Sequence, residues 1–131
     1  MAELYAKAVK GKGRGVFSKT AIQPNEIIEI CPLLIIPGCD YDLTLGSFIK
    51  QYVFSFDKEQ KHISLPMGFG CLYNHNCPAN AYHITDLEKK EIHIIAVTHI
   101  KPQEEITINY TGAFDDDSLV WFKERNIKFV K

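Results

Sequence analysis

At 131 residues the chain has the length of one compact domain. With 46% hydrophobic and 24% charged residues it can bury a sizeable core. A formal net charge of -1 excludes a global basic field for holding nucleic acid or an anionic membrane.

Most predicted elements are short strands. Met1 to Lys7 has no basic region followed by an apolar run, so no signal peptide is expected. Leu4 to Val9 predicts a strand; Gly11-Lys12-Gly13-Arg14-Gly15 breaks it, and Val16-Phe17 starts another. Gln23-Pro24-Asn25-Glu26 is a turn. Ile27 to Ile36 is rich in Ile and Leu but carries Pro32, which predicts two strands or one bent strand. The longest apolar run, Ile30 to Pro37, falls short of the roughly 18 residues a membrane span needs. Asp40 to Gln51 is the least strand-like part and predicts a short helix, followed by a strand at Tyr52 to Phe56. Ala81 to Val97 predicts a hairpin across the charged turn Leu87-Glu88-Lys89-Lys90. Glu105 to Tyr110 alternates with period two and predicts a strand. Asp117 or Ser118 caps a predicted helix over Leu119 to Arg125. The fold class is therefore mainly β, or α+β, with one terminal helix.

Cys31, Cys39, Cys71 and Cys77 form no C-x-x-C pair, and without secretion they are expected to be reduced thiols. An intracellular location is therefore expected, cytoplasmic or nuclear, and in a host nucleus if the source is a virus or a secreted effector. The acidic runs Glu104-Glu105 and Asp115-Asp116-Asp117 read as solvated turns or as an attraction for a basic peptide.

Three clusters carry potential chemistry. The glycine run has neither dinucleotide nor P-loop spacing; it is a tight turn or a place of close backbone approach. Asn74-His75-Asn76-Cys77-Pro78-Ala79-Asn80 is dense in hydrogen-bonding groups, but His75-x-Cys77 has no second pair at zinc-ligand distance. It also lacks the zinc-deaminase pattern, and no third group orients a Cys-His nucleophile. An Asn-rich turn capping backbone groups remains the structural alternative. In the last cluster Tyr110 ends a strand, where a tyrosine ordinarily packs in the core with its hydroxyl at the rim.

In this order the clusters resemble the SET domain. Gly13-Arg14-Gly15-Val16-Phe17 is similar to the family's glycine pair before a small apolar residue and an aromatic. Asn74 to Asn80 is similar to N-H-S-C-x-P-N, and Gln103 to Tyr110 to G-E-E-[LI]-T-x-D-Y. Ile22 to Glu29 looks like the family's I-x-x-G-E-x-I-x-E segment, with Asn25 at the glycine. Asn76, Ala79, Gln103 and Asn109 depart from serine, proline, glycine and aspartate, whereas Asn74, His75 and Tyr110 match. The size resembles the SET-only proteins, such as the small viral histone methyltransferases. The family's fold of several small sheets, with a pseudoknot-like threaded C-terminal segment, is thus expected in a single domain over 1–131, with a core at about 7–111 and a closing segment at 112–131.

The resemblance implies a protein-lysine N-methyltransferase using S-adenosyl-L-methionine on a lysine-containing protein or peptide, a histone tail among the candidates. It implies Tyr110 as the catalytic residue, and Gly13, Arg14, Gly15, Asn74 and His75 as cofactor-binding residues. Tyr52, Phe54 and Ile108 are candidates for the substrate channel, each with ordinary core packing as the alternative. Trp121 or Phe114 covers the adenine or the peptide groove, or packs a helix. A SET-fold peptide- or cofactor-binding module with weak catalysis is the alternative function. No direct nucleic-acid or membrane contact is expected, and a homodimer is compatible with an exposed apolar edge. In the family an aromatic two residues before the catalytic tyrosine often tunes the number of methyl groups added. Ile108 offers no hydroxyl there, which predicts di- or trimethylation. No Cys/His set has zinc spacing, so activity and folding are expected to survive chelation. Loss of either with EDTA, restored by zinc, is the contrary result.

Overall fold

Gly11 and Gly13 sit at positive φ, 80° and 79°, a backbone region open to glycine at little cost. The chain reverses there, pairing β1 (Leu4–Val9) antiparallel with β2 (Gly13–Ser18), Val9 opposite Gly13. The computed structural model describes residues 2–57, 59 and 62–110. The predicted helix at 119–125, the acidic run 115–117, Phe114, Trp121 and the closing segment 112–131 lie outside them.

The isoleucine-rich stretch is one strand, β3 (Ile27–Ile36), and Pro32 marks where it changes partners. Residues up to Pro32 pair with β8 (Glu91–Ala96), and those from Leu33 onward pair with β5 (His62–Pro66) on the other edge. Proline has no N–H to donate, so one ladder ends there and the other takes over. Between β3 and β5 come a 3-10 turn (Gly38–Asp40), α1 (Tyr41–Leu45), a second 3-10 turn (Phe48–Gln51) and β4 (Phe54–Asp57). β4 begins two residues later than expected because Tyr52 closes the turn, its N–H bonding the Ile49 carbonyl at 2.9 Å. β5 had no counterpart in the sequence reading.

β7 (Ala81–Asp86) and β8 form the expected hairpin, with Ala81 opposite Ala96 and His83 opposite Ile94. The larger sheet thus runs β4-β5-β3-β8-β7. In the smaller sheet, β9 (Glu105–Ile108) lies between β2 and the two-residue β6 (Asn74–His75), antiparallel to the first and parallel to the second. The late strand is threaded between two earlier segments. β9 stops before Asn109 and Tyr110, so strand alternation does not set the direction of the Tyr110 side chain. The core between the sheets includes Val16, Ile22, Ile28, Tyr73, Ala81, Ile94, Ala96, Ile100, Ile106 and Ile108. No helix of the described residues is long and apolar enough to cross a membrane.

Two of the departures from the SET pattern fall on left-handed backbone. Asn25 stands where glycine is usual and has φ 67°; Gln103, also in place of a glycine, has φ 69°. Asparagine tolerates this region through local hydrogen bonding, whereas glutamine bears a steric cost of about 1 kcal/mol. The Gln103 side chain is exposed, and its N–H bonds the Ser18 carbonyl at 2.9 Å, a contact any residue keeps. Gln103→Gly is therefore expected to raise stability by up to about 1 kcal/mol in urea unfolding, and Asn25→Gly to be nearly neutral. A destabilised Gln103→Gly protein would show that the strain is offset elsewhere.

Candidate active site

The site forms where β9 passes β6. Asn74 pairs with Thr107 and His75 with Ile108, and the Asn76 N–H extends the ladder to the Ile108 carbonyl at 3.1 Å. Asn80 fastens the strand from the side. Its Nδ2 donates to the Glu105 carbonyl at 2.8 Å, and its Oδ1 accepts from the Thr107 N–H at 2.8 Å. Just beyond β9, the Tyr110 N–H donates to Nδ1 of buried His75 at 3.2 Å, and the two rings lie 5.2 Å apart. A ring whose Nδ1 accepts carries its proton on Nε2 when neutral. Residues 35 positions apart thus meet through backbone pairing.

The Tyr110 hydroxyl donates to the Tyr73 carbonyl at 2.8 Å. Burial holds it protonated well above the ordinary tyrosine range; the Tyr52 hydroxyl, Glu105 and Cys71 push the same way, against a hydrogen bond from the His75 backbone. Tyr73 is itself pinned, its hydroxyl donating to Glu29 Oε1 at 2.6 Å, while Glu29 Oε2 accepts the Phe69 N–H at 3.1 Å. Burial, then the Glu29 charge, raises the Tyr73 pKa too.

Across β9 from β6, the glycine strand approaches closely. A Cβ on Gly15 would lie 2.5 Å from Glu105 Oε2 and 3.1 Å from Asn74 Nδ2, so a side chain there would push the Glu105 carboxylate aside. Asn74 Nδ2 donates to Glu105 Oε2 at 2.7 Å and to the Arg14 carbonyl at 3.1 Å. Lys12 Nζ lies 3.5 Å from Glu105 Oε1. Gly13, Arg14, Gly15, Asn74 and His75 are thereby gathered at one end of the small sheet, with Tyr110 behind His75.

The channel candidates fall differently. Tyr52 ends a 3-10 turn, tilted against Phe48 with centroids 5.5 Å apart, and its hydroxyl is near enough to oppose ionisation of Tyr110. Phe54, on β4, packs against the core and meets the His83 ring edge-on at 4.9 Å. Ile108 is fully buried in the core cluster against which Tyr110 packs. Glu29, Tyr73, Asn80, His83 and Glu105 were not singled out as site residues in the sequence. Glu29, Asn80 and Glu105 lie inside recognised segments, but only the fold shows what they hold. Asp86, Glu91 and His93 have metal-ligand chemistry and lie within reach of one another. They occupy the face of the β7–β8 hairpin opposite His83, away from Tyr110.

A threaded β9, a glycine strand against an Asn-His segment and a half-buried tyrosine beside them define a SET-type site. The SET domain family matches residues 13–111. The histone-lysine N-methyltransferase of Schizosaccharomyces pombe specific for H3 lysine-37 is 30% identical over 123 residues, covering 92% of this chain and 78% of that protein. The histone-lysine N-methyltransferase SET5 of Eremothecium gossypii is 34% identical over 80 residues, 61% of this chain and 16% of that protein. A crystal structure of a provisionally assigned histone methyltransferase of Plasmodium falciparum superposes with TM-score 0.66 at 32% identity, covering 84% of this chain and 94% of that one. The chain belongs to the SET-domain family of protein-lysine methyltransferases.

Raised folded-state pKa values mean that at high pH the folded protein holds protons the unfolded chain releases. The stabilisation from neutral Tyr73 and Tyr110 is complete below about pH 10 and is lost as pH rises toward their folded values. In an alkaline titration followed at the tyrosinate absorbance, these two should ionise only with unfolding. Their ionisation near pH 10 in a protein still folded by circular dichroism would contradict the buried placement.

Proposed function

We propose that this protein transfers a methyl group from S-adenosyl-L-methionine to a lysine side chain of a protein, with histone H3 the first substrate to test. The observation that carries the reading is the Tyr110 hydroxyl, on a half-buried ring and aimed by the Tyr73 carbonyl, beside the Asn74–His75 segment and the glycine strand. The substrate class is supported by the relative from S. pombe, whose specificity is for a lysine of H3.

The residues present fit the cofactor. Gly15 lets the Asn74 and Glu105 side chains come up to its backbone, and among the described residues no donor meets Asn74 Oδ1. Gly13, Arg14 and Gly15 would offer backbone to the methionine part, and Asn74 with His75 would hold the amino group and adenine. When bound, S-adenosyl-L-methionine supplies an activated methyl group on a positive sulfur. The protein's work is to position a neutral amine for in-line attack. Lysine has a reference pKa of about 10.4, so it must shed its proton to water first. An apolar channel walled by Tyr52 and Phe54 favours the neutral form, and Tyr110 orients the amine through its hydroxyl.

The test is transfer of labelled methyl from S-adenosyl-L-methionine to a mixture of core histones. Tyr110→Phe keeps the ring packing and is expected to fold normally while losing roughly a hundredfold in rate, the scale of one preorganised polar group. Near-normal turnover of the folded variant would remove the hydroxyl from the mechanism. Asn74→Ala should weaken cofactor binding by roughly ten- to a hundredfold, from about 1–3 kcal/mol for a lost buried polar partner. Unchanged affinity in calorimetry would take Asn74 out of the cofactor site.

A further inference from the structure

We infer that His83 touches the substrate: its Nε2 accepts a hydrogen bond from the ε-nitrogen of the target lysine and thereby limits how many methyl groups are added. The inference rests on the lysine-methyltransferase reading of the site and assigns that site a residue no sequence motif contains.

His83 faces the interior from β7, opposite Ile94 and flanked on that face by the pairs Ala81–Ala96 and Thr85–Ile92. An imidazole among such neighbours is costly unless its polar atoms are engaged. One hydrogen bond joins the ring to the backbone of Asn109, the residue before Tyr110, and it favours the protonated form, as donation from the ring to a carbonyl does. His83 Nε2 is shut away from water and, among the described residues, is the one buried side-chain polar atom with no hydrogen-bond partner. The donating nitrogen is therefore Nδ1, and burial keeps the ring neutral by lowering its pKa. The Nε2 lone pair is left as a dry, unmet acceptor.

The surroundings identify the donor. Phe54, the proposed channel wall, meets the ring edge-on at 4.9 Å and 78°, and the Asn109 backbone ties it to the segment that carries Tyr110. A donor reaching this atom must arrive on an apolar stem that leaves bulk water behind, as a lysine amine does on its four methylenes. A primary amine can keep one N–H on Nε2 while its lone pair faces the methyl donor. The second N–H of the primary amine can rest on the Tyr110 hydroxyl oxygen, whose own proton goes to the Tyr73 carbonyl; once monomethylated, the nitrogen has a single N–H for the two acceptors, so attacking again leaves one of them unmet. The expectation of di- or trimethylation rested on Ile108 having no hydroxyl; His83 supplies the missing polar partner from the neighbouring hairpin.

The experiment compares wild type, His83→Phe and His83→Gln on core histones with excess S-adenosyl-L-methionine, products resolved by mass spectrometry at long reaction times. Wild type should stop mainly at one methyl. His83→Phe should raise the ratio of higher methylation to monomethylation about tenfold, the factor for one hydrogen bond. His83→Gln, which retains an acceptor, should restore the wild-type pattern. A wild type that transfers no methyl would sink the proposed function itself. A wild type that transfers methyl with a product pattern unchanged in a folded His83→Phe would overturn the role of His83 alone. The wild-type protein also carries the test without any variant: with S-adenosylhomocysteine present, the 15N resonance of His83 Nε2 should shift on titration with butylamine, a stand-in for the lysine side chain. An unmoved resonance at saturating amine would refute the contact whether or not the variants fold.

Discussion

The parallel pairing of β9 with two residues of β6 is the constraint on which the site depends. Asn74 and His75 meet Thr107 and Ile108 only because the last described strand passes between the N-terminal hairpin and the Asn-His segment. Two residues make a weak ladder, so side chains reinforce it. Asn80 bonds β9 at two backbone positions, and the His75 ring takes the Tyr110 N–H. Each polar group is largely buried, and buried polar groups hold a geometry well because breaking them leaves unmet partners.

A second set of buried polar contacts works outward from this point. Glu29 on β3 anchors Tyr73, and the Tyr73 carbonyl aims the Tyr110 hydroxyl. The larger sheet thus reaches the Tyr110 hydroxyl, the proposed reacting position, through one side chain and one peptide group. Glu105 does the equivalent for the proposed cofactor side, holding Asn74 against the glycine strand, where a methyl group on Gly15 would collide with the Glu105 carboxylate and crowd Asn74. The polar skeleton is continuous from β3 to β2, and the apolar core around Ile94, Ile106 and Ile108 fills the space between the sheets.

The left-handed positions show how the chain accommodates its departures from the family pattern. Asn25 and Gln103 both occupy turns that glycine suits better, and both are exposed, so the cost is in the backbone and not in packing. Gly15, by contrast, is constrained by what surrounds it, since a Cβ there would meet the Glu105 carboxylate and press on Asn74.

Much of the strand content was legible by itself. Alternation and β-branched residues placed β1, the β7–β8 hairpin and the start of β9, because local periodicity reports which face is buried. Motif order placed Tyr110, Asn74 and the glycine strand in one site. β5 has no counterpart among the elements expected from sequence, and β6 is legible only as an Asn-rich segment, since a two-residue parallel strand has no periodicity of its own and exists only where β9 arrives. The roles of Glu29, Tyr73, Asn80 and Glu105 were hidden for the same reason: their partners lie 25 to 44 positions away. His83 read as an ordinary hairpin residue until the fold turned it inward, tied one nitrogen to the Asn109 backbone and left the other without a donor. Residue types and their order determined the family and the chemistry available to it. Tertiary structure decided which polar atoms are satisfied, because satisfaction depends on neighbours that only long-range pairing brings within hydrogen-bond reach.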